Sequence, residues 1–177
     1  MDSGRGYVNG WGRCMSSIIR GDDNFDTASS GDNTPSFMAK LASNQSVAAS
    51  TWTKGAFATE LWDSDAAFDS SSNYRFTVPS NMAGKYTFHA GYGYNGIGSG
   101  ITMRMSFKLN GGYLQMGNSH IQTGSNADGE CKYTTSVTYT MAVGDYMEVF
   151  YNQADGSSAN SLYANTTFFS GYRLAGV

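Results

Sequence analysis

Gly91, Gly93 and Gly96 have the G-x-G-x-x-G spacing of a dinucleotide-binding turn. That chemistry needs the glycines between a strand and a helix, so that the backbone approaches a pyrophosphate whose charge faces the helix N-terminus. Here Tyr86, Phe88, Ala90, Tyr92 and Tyr94 alternate with Thr87, His89, Gly91 and Gly93, a period of two that runs through the glycines. Downstream, Ile101, Met103, Met105, Phe107 and Leu109 alternate with Thr102, Arg104, Ser106 and Lys108 in the same way. Strands on both sides and no helix exclude a phosphate cradle. The intervening NGIGSG reads instead as a flexible hairpin connection, its Asn and Gly supplying positive φ.

Other reactive side chains form no constellation. Asp63, Asp65 and Asp69 have the spacing of a calcium loop, but the glycine and distal glutamate of an EF-hand are missing. Aspartates at such positions also begin turns by accepting from their own backbone. His89 falls on the polar face of its strand and His120 in a loop, and neither has a histidine or cysteine partner at metal spacing. The stretch GNSHI misses the nucleophile elbow, because Ile121 stands where the second glycine belongs. No carboxylate pair is singled out for glycoside hydrolysis. The expectation is therefore no catalytic residue and no cofactor. Cys14 and Cys131, the only cysteines, are either free thiols or a bridge between the N-terminal segment and a loop.

The elements that position these residues are strands. From Ser36 onward, short runs of β-prone residues follow one another between Gly, Ser and Asn turns: SFMAKLA, TWTKGAFATELWD, NYRFTV, the two strands already described, YLQM, YTTSVTYTMAV, DYMEVFYNQ and TTFFSGYRLAG. Nine or ten strands without a helix imply an all-β sandwich or barrel. Pro79 ends one strand, Gly84 opens the next, and Gly144 with Asp145 reads as a tight hairpin turn. Some strands are apolar on both faces. In DYMEVFY, Tyr146 and Phe150 oppose Met147, Val149 and Tyr151; in TTFFSGYRL, Phe168, Tyr172 and Leu174 oppose Phe169. A sandwich needs only its inner faces apolar, so the second faces imply burial between subunits.

Residues 1–35 differ: they are polar and rich in Gly and Asp, with isolated Trp11, Ile18, Ile19 and Phe25. They read as a disordered tail or as an arm that orders on a partner through those four anchors, each worth about 2 kcal/mol before ordering costs. Over all 177 residues only 14% are charged, against about 25% in ordinary soluble proteins, and the formal net charge is −3. A weakly acidic chain without Lys/Arg runs is a poor ligand for nucleic acid. No apolar stretch is long enough to span a bilayer, and the basic-then-apolar layout of a signal peptide is absent. Synthesis in a cytoplasm without processing is expected.

Three stretches carry a family resemblance: FDSSSNYRFTVPSNMAGKYTFHAGY, VTYTMAVGDYMEVFYN and the terminal TTFFSGYRL. Their aromatic-x-Thr-x-Pro turn before Gly-x-Tyr-x-Phe, Gly-Asp between two strands and final Phe-Ser-Gly resemble the C1q/TNF-like jelly-roll signature over residues 37–177. The resemblance implies a homotrimer of ten-stranded jelly-roll β-sandwiches packed through aromatic-rich strands, with Tyr139, Phe150, Phe169 and Tyr172 as interface candidates. It also keeps a calcium site at Asp63, Asp65 and Asp69 possible, since some relatives bind calcium near the trimer axis. Neither the signal peptide nor the collagen stalk of animal members is seen. Residues 44–92 are instead similar to C1q-like domains encoded by bacteriophages of aquatic bacteria, where they occur in virion proteins. The function this implies is a virion structural protein made in a bacterial host. It would be a trimeric capsid decoration or head-fibre knob, with residues 1–35 as an anchoring arm on the major capsid protein or a tail adaptor and residues 36–177 as the jelly roll. The alternative is a tail-fibre tip or adhesin that recognises a host surface glycan or protein through its loops.

Overall fold

The structure, a computed structural model, describes residues 33–94, 102–122, 131–154 and 160–174. Trp11, Cys14, Ile18, Ile19 and Phe25, and the NGIGSG connection, lie outside these residues. The described residues are all β, with no helix, and none of them forms a helix long and apolar enough to cross a membrane.

Two antiparallel sheets face each other. The first contains β1 (Ser36–Lys40), β2 (Gln45–Val47), β4 (Thr59–Asp63), β7 (Gly84–Tyr94), β11 (Cys131–Met141), β13 (Asn160–Leu162) and β14 (Phe168–Arg173). The second contains β3 (Thr53–Lys54), β5 (Phe68–Asp69), β6 (Arg75–Thr77), β8 (Thr102–Leu109), β9 (Gly112–Tyr113), β10 (Ser119–Gln122) and β12 (Tyr146–Gln153). Across its middle the first sheet runs β4-β1-β14-β7-β11, and the second runs β10-β8-β12-β6-β5. Several ladders are only two or three residues long, which is why the segments outnumber the ten strands expected.

The period-two pattern becomes burial directly. Tyr86, Phe88, Ala90, Tyr92 and Tyr94 point inward from β7, and Met147, Val149 and Tyr151 point inward from β12, all of them buried. Between the sheets Phe37 stacks on Phe68 and Phe76, with ring centroids 4.8 and 5.2 Å apart, and meets Phe169 edge-on at 4.9 Å. Offset and edge-on rings add to area burial because the positive ring edge meets the negative face.

Two expected hairpins are sheet crossings. Residues of β7 pair with β11, β14 and β13, whereas β8 pairs with β12, β10 and β9, so the chain changes sheets between β7 and β8. It changes again between β11 and β12, which do not pair. At that corner Gly144 has φ of 84°, Asp145 donates its N–H to the Ala142 carbonyl, and its own carboxylate accepts from the Ala142 N–H. It is a tight turn, as expected, but one that aims the chain at the other sheet. A true two-residue hairpin lies between β8 and β9, where Asn110 and Gly111 take φ of 51° and 80° and Leu109 pairs with Gly112. His120 sits in β10, opposite Arg104, and not in a loop.

Candidate functional site: the outer face of the first sheet

The residues that alternate with the core on β7 are Thr87, His89, Gly91 and Gly93. Pairing places Ser170 and Ser136 on either side of His89, Phe168 and Thr134 on either side of Gly91, and Tyr172 and Thr138 on either side of Thr87. One strand further out, Met38 on β1 lies opposite Ser170, and Trp62 on β4 lies opposite Met38. The result is a sheet face whose centre carries hydroxyls, glycine, aromatic rings and one imidazole. Its lysines stand at the margins: Lys85 beyond Thr87, Lys132 opposite Gly93, and Lys40 opposite Phe168.

The glycines that spelled a nucleotide fingerprint have their explanation here. A Cβ on Gly91 would lie 2.5 Å from the Phe168 ring and 3.0 Å from the Thr134 methyl group, and a Cβ on Gly93 would lie 2.2 Å from the Thr166 hydroxyl. Both glycines lie within β7, where glycine otherwise weakens a ladder, so their role is to let the side chains of Phe168 and Thr166 approach the backbone closely. Phe168 is thereby half-buried, as are His89, Ser170 and Tyr172 on the same face. His89 stacks beside Tyr172, with ring centroids 6.0 Å apart and planes 24° from parallel. His89, Thr134, Thr135, Ser136, Phe168 and Ser170 together line a shallow depression.

Of the four interface candidates from the sequence, only Tyr172 lies on this face. Phe169 is fully buried in the chain's own core against Phe37, Phe57, Phe68 and Phe88, so no neighbouring subunit can reach it. Tyr139 pairs with the inward Tyr86 and packs against the same core. Phe150 belongs to the opposite side of the molecule, on the outer face of the second sheet. The physical reason is parity: one position along a strand exchanges core for surface. The residue that does lie on the outer face is Phe168, and the doubled phenylalanine gave no clue as to which ring was which.

The aspartate trio is likewise turned to another use. Asp63 Oδ1 accepts from the N–H groups of Asp65 and Ala67, and its Oδ2 accepts from Phe68 N–H at 2.8 Å. Asp69 accepts from the N–H groups of Ser71 and Ser72, both at 2.9 Å, and from those of Asn73. The Ser72 and Ser71 donors, and after them the Asn73 side chain, hold its carboxyl well below the usual carboxylate range. Asp65 accepts from the Ser64 hydroxyl. Asp63 and Asp69 thus hold turns together, and among the described residues no group of three His, Cys, Asp or Glu side chains gathers that could hold a metal ion.

No protein-family model and no curated protein matches the chain. Solved structures do. Murine APRIL superposes with a TM-score of 0.58 at 12% identity, covering 78% of this chain and 98% of that one. The globular domain of zebrafish complement 1qA protein superposes with a TM-score of 0.54 at 14% identity, covering 79% and 97%.

The fold is a C1q/TNF-like jelly roll.

In this jelly roll, identity is so low that the likeness is one of architecture. The stretches that suggested it from sequence fall on β5, β6 and β7, on β11 and β12, and on β14. The outer-face residues Gly91, Phe168 and Ser136 could have been found from sequence only by knowing that β7, β14 and β11 are adjacent, which no local pattern states.

Proposed function

We propose that the jelly roll is a homotrimeric knob of a bacteriophage virion, assembled through the outer face of its first sheet and anchored by residues 1–35. The observation that supports assembly is the character of that face. A sheet surface turned to water normally carries interspersed charges, yet the rows Thr87-His89-Gly91, Thr134-Ser136-Thr138 and Phe168-Ser170-Tyr172 contain none. Charge depletion with aromatic enrichment is what the centre of a protein interface shows. A ring of three copies brings unlike edges of neighbouring subunits together. The first sheet offers unlike apolar edges, with Leu61 and Trp62 exposed at β4 and Tyr133 exposed at β11.

The virion assignment is supported by the similarity of residues 44–92 to phage-encoded C1q-like domains. In this reading the work is assembly, with no catalytic residue. Three arms leaving one trimer act as a single multivalent ligand for a capsid lattice or a tail adaptor, so each arm can be weak. Light scattering of the purified chain tests the trimer; a monomer at micromolar concentration refutes it. Quantitative mass spectrometry of purified virions tests the rest. Copies comparable to the major capsid protein indicate shell decoration, a handful per particle indicates a tail-borne receptor binder, and absence from virions refutes the assignment.

A further inference from the structure

We infer that His89 makes the trimer acid-labile, holding subunits together at neutral pH and releasing them as the imidazole takes up a proton. The inference rests on the proposed assembly through this face and adds a regulation to it. His89 occupies the middle of the central strand of the uncharged surface, half-buried already in a single chain. Histidine is the side chain whose ordinary titration range, about pH 6 to 7, lies within reach of physiological change.

The surroundings decide the sign. From β11 the imidazole faces Ser136, with Thr134 and Thr138 next in that row; from β14 it faces Ser170, flanked by Phe168 and Tyr172. Along its own strand stand Thr87 and Gly91. The charged groups reached beyond these, Lys85, Lys132 and Lys40, are all cations. The carboxylates of the β4 edge, Glu60 and Asp63, register with the inward-facing Ala39 and Phe37 and so belong to the other side of the sheet. An imidazolium here has hydroxyls, an aromatic ring and distant cations for company, and no carboxylate on its face among the described residues. When the face is covered by neighbouring copies, water no longer solvates that charge, and an unpaired buried charge is costly. In the separated subunit the same charge is solvated. Protonation therefore favours separation, and threefold symmetry multiplies the effect because every trimer carries three copies of His89.

The test is the trimer dissociation constant as a function of pH, by light scattering and sedimentation on the full chain. Wild type should be trimeric at pH 8 and should dissociate between pH 6.5 and 5 with a linkage approaching three protons per trimer. The dissociation constant should then change by up to about a thousandfold per pH unit. His89→Gln, neutral and still able to hydrogen-bond, should lose this dependence, while His120→Gln, which alters the other histidine, should keep it. A wild-type trimer that persists unchanged at pH 5, a linkage near zero, or acid dissociation surviving in His89→Gln overturns the inference and leaves the trimer standing. A monomer at pH 8 overturns the assembly reading and the inference together.

Discussion

The two outer faces of the sandwich are built on opposite principles. On the second sheet Phe150 is covered by ammonium groups, with Lys108 Nζ 3.8 Å and Lys54 Nζ 5.6 Å from its ring centroid, and Lys108 also lies 4.1 Å from the Tyr113 ring. Lys54 pairs with the Glu148 carboxylate at 2.5 Å and donates to the Asn73 carbonyl. Arg75 covers the Tyr146 ring in the same manner at 4.1 Å. Phe150, Tyr113 and Tyr146 each have a cation of the same chain above them, with the alkyl stem as roof and the charge toward water. On the first sheet, among the described residues, no such roof lies over the rings of Phe168 and Tyr172: Phe168 lies on Gly91 with Lys40 opposite it on β1, and Tyr172 lies beside His89. Apolar residues on a second face are thus of two kinds, those that the chain's own cations cover and those that they leave open. Only the second kind supports an assembly reading, which is why Phe150, so similar to Phe168 in sequence, does not.

The largest effect separates the core from both faces. Phe169→Asp places a charge among Phe37, Phe57, Phe68 and Phe88, and no folded protein is expected by circular dichroism; the milder Phe169→Ala should cost about 3–5 kcal/mol in urea unfolding. A folded monomer from Phe169→Asp would mean that the ring is not in the core.

Next in size is a charge on either surface. Ser136 is exposed in the single chain, so Ser136→Lys should leave the far-ultraviolet spectrum intact and raise the trimer dissociation constant at least a hundredfold, because three ammonium groups would be buried on a face that carries no carboxylate among the described residues. Arg104→Glu, exposed on the second sheet, should leave assembly within twofold. Equal sensitivity of the two faces, or the reverse order, breaks the comparison outright.

The same contrast explains what was legible in the sequence. The alternation of β7 and β8 identified their core residues, since burial on one face repeats at every second position and needs no knowledge of neighbours, whereas on β12, apolar on both faces, it separated two sets without saying which faced inward. Which sheet a strand joins has no such signature. NGIGSG read as a hairpin connection, although it was Asn110-Gly111 that closed one; a turn residue licenses positive φ without saying where the chain goes next. Gly91 and Gly93 were read correctly as strand residues, but the reason for them, Phe168 and Thr166 lying across from a distant part of the chain, is a tertiary contact. The aspartates of DSDAAFD could be seen as turn formers or as ligands, and the turn role of Asp63 and Asp69 shows only in the positions of the Ala67, Phe68, Ser71 and Ser72 N–H groups.

A moderate effect is expected from Lys54→Met. It keeps the alkyl roof over Phe150 but removes the partner of Glu148, a side chain only 6% exposed. Leaving that carboxylate buried should cost about 2 kcal/mol, the usual penalty for breaking a buried pair being reduced here because Lys54 itself is partly in water. The trimer dissociation constant should not move, which distinguishes a stability cost on the self-covered face from an assembly cost on the other.

The smallest effect lies in acid, and its sign keeps it apart from the histidine. Asp69 is held below the usual carboxylate range by the Ser72, Ser71 and Asn73 donors, and Asp145 is lowered by the Asn110 side chain and then by the Ala142 N–H. A carboxyl whose folded value is depressed binds its proton more readily in the unfolded chain. Its contribution is therefore complete above the ordinary carboxylate value of about 4 and is lost as pH falls from there toward the folded value. The urea midpoint of subunit unfolding should accordingly hold between pH 7 and 5 and decline below about pH 4, with Asp69→Ala lowering the plateau slightly and flattening the decline. Dissociation driven by an imidazole would be finished before that decline begins. A single acid transition, in which separation and unfolding coincide near pH 4 and both shift in Asp69→Ala, would mean that the turn carboxylates alone govern the acid response and that the uncharged face contributes nothing of its own.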